Sequence, residues 1–183
     1  MDLGTLKAKI AVSIILAVLL SGCGAQPKYT KYDNPKFDFS MEYPEGWVSD
    51  ANSNIIGGSD MSFYPASVTR ENSFPIITLD FMGDALPPPP DLNYFVQFAK
   101  SITKKENILD EKYFNIGNYN AYELVSRQNL KNSGNSSTPI AVTHVVFVKD
   151  GKFAYDLRFM VTDSEYEKMK PTIEHVINSI AIS

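Results

Sequence analysis

Few residues in this 183-residue chain could do chemistry, and they do not form a reaction centre. There are two histidines, His144 and His175, and one cysteine, Cys23, so no internal disulfide is possible. His144 shares the side of an apolar strand with Val142 and Val146. It reads as a satisfied core or subsurface imidazole rather than a ligand or a base. His175 falls off the apolar stripe of a helix and is expected in solvent. Carboxylates are numerous but scattered, and the sequence alone identifies no pair poised for acid and base work. The inward-pointing candidates, if both faces of a sheet are covered, are Asp80 beside Leu79 and Phe81, and Glu123 in Tyr122-Glu123-Leu124; both also fit a sheet edge or an ion pair. No Gly-x-Ser-x-Gly elbow, His-Glu-x-x-His helix or phosphate-binding glycine loop occurs. No loop has the alternating acidic spacing that calcium requires. No enzyme activity, cofactor or metal is implied.

Cys23 differs, because its neighbours supply a chemistry. Lys7 and Lys9 form a basic flank, Ile10 to Leu20 is an uncharged run of 11 residues, and Ser21 and Gly22 are small. Such a run is about 16 Å long as a helix, against the roughly 30 Å of hydrocarbon a span must cross, so it does not anchor the chain. Leu20-Ser21-Gly22-Cys23 resembles the lipobox of bacterial lipoproteins. The resemblance implies cleavage between Gly22 and Cys23, with a diacylglyceryl group on the Cys23 thiol and acylation of the new amine. Two or more chains suffice for a stable membrane anchor. The competing readings are an ordinary secretory signal with a chance cysteine, or a buried free thiol. The expected location is a cell membrane or an outer membrane, with the body on the extracytoplasmic side; in a two-membrane cell Gly24, which is not the aspartate that commonly signals inner-membrane retention, points toward the outer one.

Removing residues 1–22 leaves 161 residues with 15 basic and 20 acidic side chains, a net of −5. That length suits one domain. The balance argues against nucleic acid, which asks for a basic face. Residues 23–34 are polar, with Pro27, Lys28 and Lys31, and read as a lipidated flexible tether ahead of a domain spanning 35–183. Phe37, Phe39, Met41 and Tyr43 alternate with polar residues as a half-buried strand does, and Pro44-Glu45-Gly46 ends it just before Trp47, a core anchor. Further strands are expected at Met61 to Tyr64, Pro75 to Met82, Ile108 to Ile116 and Asn120 to Gln128. The run Pro87 to Pro90 is a surface connector.

Asp91 is placed to cap a helix over Leu92 to Lys104 with Phe95, Phe98, Ala99 and Ile102 on its core stripe. Ile140 to Val148 is apolar on both sides, as in a covered central strand. Asp150-Gly151 turns it into Lys152 to Thr162, with Tyr155, Leu157, Phe159 and Val161 inward. A helical turn through Tyr166 and Met169 precedes a second helix opened by Pro171, with Ile173, Val176, Ile177 and Ile180 on one stripe. These elements predict an α+β domain: an antiparallel sheet of about six or seven strands with helices on both faces.

Three segments, in this order, resemble the PsbP-like family: Phe37 to Trp47, ending Tyr43-Pro44-x-x-Trp47; Val148-Lys149-Asp150-Gly151-Lys152 running to Tyr155; and Val176-Ile177-Asn178-Ser179-Ile180. The resemblance spans about Pro35 to Ile182 and implies an α/β/α sandwich. It also implies a noncatalytic module, as in photosystem-associated extrinsic proteins, assembly factors and envelope lipoproteins. The chain departs from photosynthetic members in its short tether and in Ser179-Ile180, where an aromatic is common. No metal or docking residue carries over. Two functions follow as expectations: a membrane-tethered protein-binding or assembly module, or an envelope lipoprotein binding a small ligand or metal between helix and sheet. Mass spectrometry of the membrane fraction is expected to find an acylated Cys23 as the mature N-terminus; an unmodified Cys23 there refutes the anchor.

Overall fold

The longest strands do the positioning. In the computed structural model, which describes residues 27–51, 59–69, 74–82, 91–131, 137–151 and 153–183, the chain forms two antiparallel sheets and two α-helices. The elements run β1 (Tyr29–Asn34), β2 (Phe39–Pro44), β3 (Trp47–Ala51), β4 (Met61–Pro65), β5 (Ile76–Met82), α1 (Leu92–Ile102), β6 (Ile108–Ile116), β7 (Tyr119–Lys131), β8 (Ser137–Lys149), β9 (Phe153–Thr162), α2 (Tyr166–Asn178) and β10 (Ala181–Ile182). The large sheet has seven strands in the order β3-β4-β5-β9-β8-β7-β6, and β1-β2-β10 make the small one. The leader, Cys23, and the proline run 87–90 lie outside the described residues. Among the described residues no helix is long and apolar enough to cross a membrane.

Successive side chains of a strand point to opposite faces, and β8 uses both. Val145 and Phe147 pair with Leu157 and Tyr155 of β9. They join one cluster with Phe39 and Met41 of β2 and Ile173, Val176 and Ile177 of α2. Val146 instead joins Phe95 of α1 and Ala154. Val96 and Ala99 of α1 pack on Tyr122 and Leu124 of β7. The Phe147 and Tyr155 rings stack 4.6 Å apart and nearly parallel. The Tyr155 hydroxyl donates to the Phe37 carbonyl at 2.6 Å, which fastens the small sheet to the large one.

Several sequence expectations change. Tyr29–Asn34, assigned to the tether, is a strand paired along its length with β2. Its polar residues hid it, but Tyr32 packs edge-on against Phe63 at 5.1 Å. The Phe37 to Tyr43 strand belongs to the small sheet, covering the core rather than extending the main meander. Pairing across the Asp150-Gly151 turn resumes at Lys149↔Phe153, one residue later than a two-residue loop gives. Asp150 and Gly151 both take positive φ there, 52° and 64°. Asp91 caps α1 as expected, its carboxylate accepting the Tyr94 amide at 2.8 Å. The buried stripe, however, is Phe95, Val96 and Ala99, while Phe98 and Ile102 are exposed, because the helix is rolled toward β7. Pro171 does not open the second helix but sits inside it, on its exposed side. There the backbone bond it forgoes can go to water.

Phe147→Ala is expected to cost about 3–5 kcal/mol in urea denaturation, whereas Phe98→Ala stays within about 0.5 kcal/mol.

Candidate functional site

The face of the large sheet that carries Val146 also carries a band of charge. The register sets His144 of β8 opposite Arg158 of β9, and Asp156 of β9 opposite Asp80 of β5. His144 Nε2 lies 2.5 Å from Asp156 Oδ1, an ion pair whenever the imidazole is protonated. Arg158 Nη2 donates to Asp156 Oδ2 at 2.7 Å and to Asp80 Oδ2 at 3.1 Å. Asp80 Oδ1 accepts the Asp60 amide, and Asp60 in turn accepts the Phe81 amide at 2.8 Å.

The two aspartates respond oppositely to this setting. Burial pushes the Asp156 carboxyl up, but His144 and Arg158 together outweigh it, and the net direction is down. For Asp80 burial prevails over the Arg158 guanidinium and the carboxyl moves up. A histidine beside a carboxylate, as His144 is beside Asp156, supplies two of the three groups that a nucleophile-activating triad needs. Among the described residues no hydroxyl or thiol is bonded to His144 to serve as the third. Nor do three metal-ligating side chains converge there, and Arg158 occupies the space between the carboxylates that a cation would take. The arrangement holds charge in place.

Glu123 is elsewhere. It pairs with Val145 and so projects from the opposite face, into a cleft of about 470 Å³ between α2 and strands β6 to β8. Its buried carboxylate meets Lys112 Nζ at 3.2 Å. Thr143, on the cleft floor, is 2% exposed and its Oγ1 has no hydrogen-bond partner. The structure therefore brings His144 and Asp80 together through two residues that sequence reasoning passed over, and leaves Glu123 apart. The missed signal is Asp156 and Arg158 at i and i+2, opposite the Tyr155 and Leu157 side. His175 is half-exposed but not free: Nε2 lies 2.7 Å from Glu42 Oε2, and the ring stacks on Tyr29 at 3.6 Å.

A third feature is apolar. Tyr94, Phe98 and Ile102 stand one helical turn apart on α1 and are 52%, 51% and 63% exposed. Lys100 reaches Glu111 on β6 at 2.6 Å, so this row lies on the flank of α1 turned away from β6.

Asp156→Asn is expected to lower stability at pH 7 by about 1–3 kcal/mol. Because the folded carboxyl titrates below its ordinary 3.8, its contribution is present above that value and is lost as pH falls through the folded value. The gap between variant and parent in chemical denaturation should therefore narrow below that pH. Asp80 is shifted the other way, so Asp80→Asn should leave stability at pH 7 unchanged or raised.

No protein-family profile matches the chain, and no curated protein does. Solved structures share its shape. The solution structure of cyanobacterial PsbP (CyanoP) from Synechocystis sp. PCC 6803 aligns with a TM-score of 0.58 at 14% identity, over 88% of this chain and 96% of that one. LpqN, involved in cell envelope biogenesis of Mycobacterium tuberculosis, aligns with a TM-score of 0.53 at 15% identity, over 88% and 87%. The Ran-binding protein Mog1p of Saccharomyces cerevisiae aligns with a TM-score of 0.50 at 8% identity, over 86% and 96%. Identities this low speak for architecture and not for activity. With its seven-stranded antiparallel sheet, smaller second sheet and two helices, the chain has an α+β fold of the PsbP-like kind.

Proposed function

We propose that the chain is a membrane-anchored extracytoplasmic lipoprotein, cut after Gly22 and lipidated on Cys23, whose noncatalytic PsbP-like domain binds a protein partner or assists assembly of a complex. The alternation of apolar clusters along β8 supports reading the domain as an α/β/α sandwich with a helix on each face. One observation carries the partner reading: the exposed row Tyr94, Phe98 and Ile102 on a helix whose other side is fully used in the core. Aromatic side chains concentrated on one surface are the usual anchors of protein interfaces. The buried charges, by contrast, are spent on one another. The lipobox supports the anchor. The involvement of LpqN in cell envelope biogenesis and the Ran binding of Mog1p are compatible with such a module on this fold.

A photo-crosslinking residue at position 98 of the full-length chain, expressed in its native membrane, is expected to give a discrete protein adduct. Tyr94→Asp with Ile102→Asp should abolish it without lowering the melting temperature. An adduct indifferent to those substitutions, or none, argues against the α1 surface.

A further inference from the structure

The cleft beside α2 has a charge balance of its own. Along β7 its sheet wall presents Arg127, Val125 and Glu123, two residues apart on one face, with Thr143 paired to Val125. Arg127 bonds Asp163 just ahead of α2 at 2.7 Å, so it marks the end of the cleft near the helix N-terminus, and Glu123 marks the other. Two cations are already committed: Arg127 to Asp163 and Lys112 to Glu123. Among the described residues of the lining there remain three carboxylates, Asp110, Glu167 and Glu174, against one ammonium, Lys170. The cleft is therefore acidic beyond its internal pairs.

A second observation is independent of that charge. Thr143 is buried on the floor with its Oγ1 unpartnered, and a buried hydroxyl without a partner is costly. A donor arriving from a ligand would relieve that cost. Val125, Ile173 and Ile177 add apolar wall between the charges. Among the described residues Tyr166 is the one aromatic in the lining, and they form no aromatic cage of the kind a quaternary ammonium head prefers. The volume, about 470 Å³, suits a small ligand.

We propose that this cleft binds a primary alkylammonium group, its N–H donors shared by Glu174, Asp110 and the Thr143 hydroxyl and its methylene stem lying on Val125, Ile173 and Ile177. The group can come from a free aliphatic diamine or from a lysine side chain. The site is separate from the α1 surface, so its failure leaves the partner reading standing, and the reverse holds too.

The test is calorimetric titration of the full-length chain in detergent micelles with 1,5-diaminopentane, Nα-acetyl-lysine amide, choline and 1-pentanol. At least one primary amine is expected to bind about tenfold or more tightly than choline and pentanol, the loss typical of one charge-assisted hydrogen bond. Glu174→Gln, an exposed change, and Thr143→Val, which removes an unpaired hydroxyl, should each weaken amine binding several-fold, with melting temperatures no lower than the parent's. Tighter binding of the diamine identifies a free amine as the ligand, and tighter binding of the lysine amide identifies a peptide. Absence of saturable amine binding, choline or pentanol binding as tightly as the amines, or amine affinity unchanged in both variants overturns the proposal.

Discussion

Phe147 and Tyr155 face one another across the β8–β9 ladder with their rings stacked, and Phe39 of the small sheet stacks on both. This aromatic contact fixes which residues of the two strands are opposite each other. A slip of one residue would turn every side chain of β9 to the other face. Asp156 and Arg158 would then enter the cluster beneath α2, and Leu157 would face the charged band. Taking an ion out of water without its partner costs several kcal/mol, so the apolar pairing and the ionic pairing enforce a single register from opposite sides of one sheet.

The same register accounts for the contrast between the two faces. On one, His144, Asp156, Arg158 and Asp80 are adjacent because β5, β9 and β8 are consecutive in the sheet. Their charged groups face one another, and two apolar clusters on that face frame them. On the other, α2 covers the middle of the sheet, and the residues left toward β6 form a cleft whose carboxylates outnumber their counterions. A sheet can keep both because it is one residue thick: what one side chain does above it places no demand on its neighbour below.

Much of this was legible in the chain. Period-two alternation located β2, β5 and β9, the two-sided run marked β8 as interior, and Asp91 placed the start of α1. Elements whose stability is borrowed from distant partners were not legible. β1 has a polar sequence and exists because β2 offers it hydrogen bonds and Phe63 offers Tyr32 a surface. The roll of α1 depends on where Tyr122 and Leu124 lie, which no helical wheel contains. The site divides in the same way. His144, Asp80 and Glu123 could be singled out as candidates, but their partners are set by strand order across the sheet. The Asp150-Gly151 turn misleads by one residue about what lies opposite His144. Tyr29 and Glu42, the neighbours of His175, are likewise reached only through the small sheet.

Because the Lys28 carbonyl accepts the Glu45 amide at 2.9 Å and β1 begins at Tyr29, only residues 24–27 separate Cys23 from folded backbone. The five steps from Cys23 to Lys28 reach at most about 18 Å even when fully drawn out. With acyl chains on Cys23, the body would ride within that height of the headgroups, its lateral search confined to a thin layer over the bilayer. A short leash raises the local concentration of anything else held in the same layer and denies access to targets further out. With Cys23 acylated, the order in a strand that resembled a linker would set the working radius of the whole molecule.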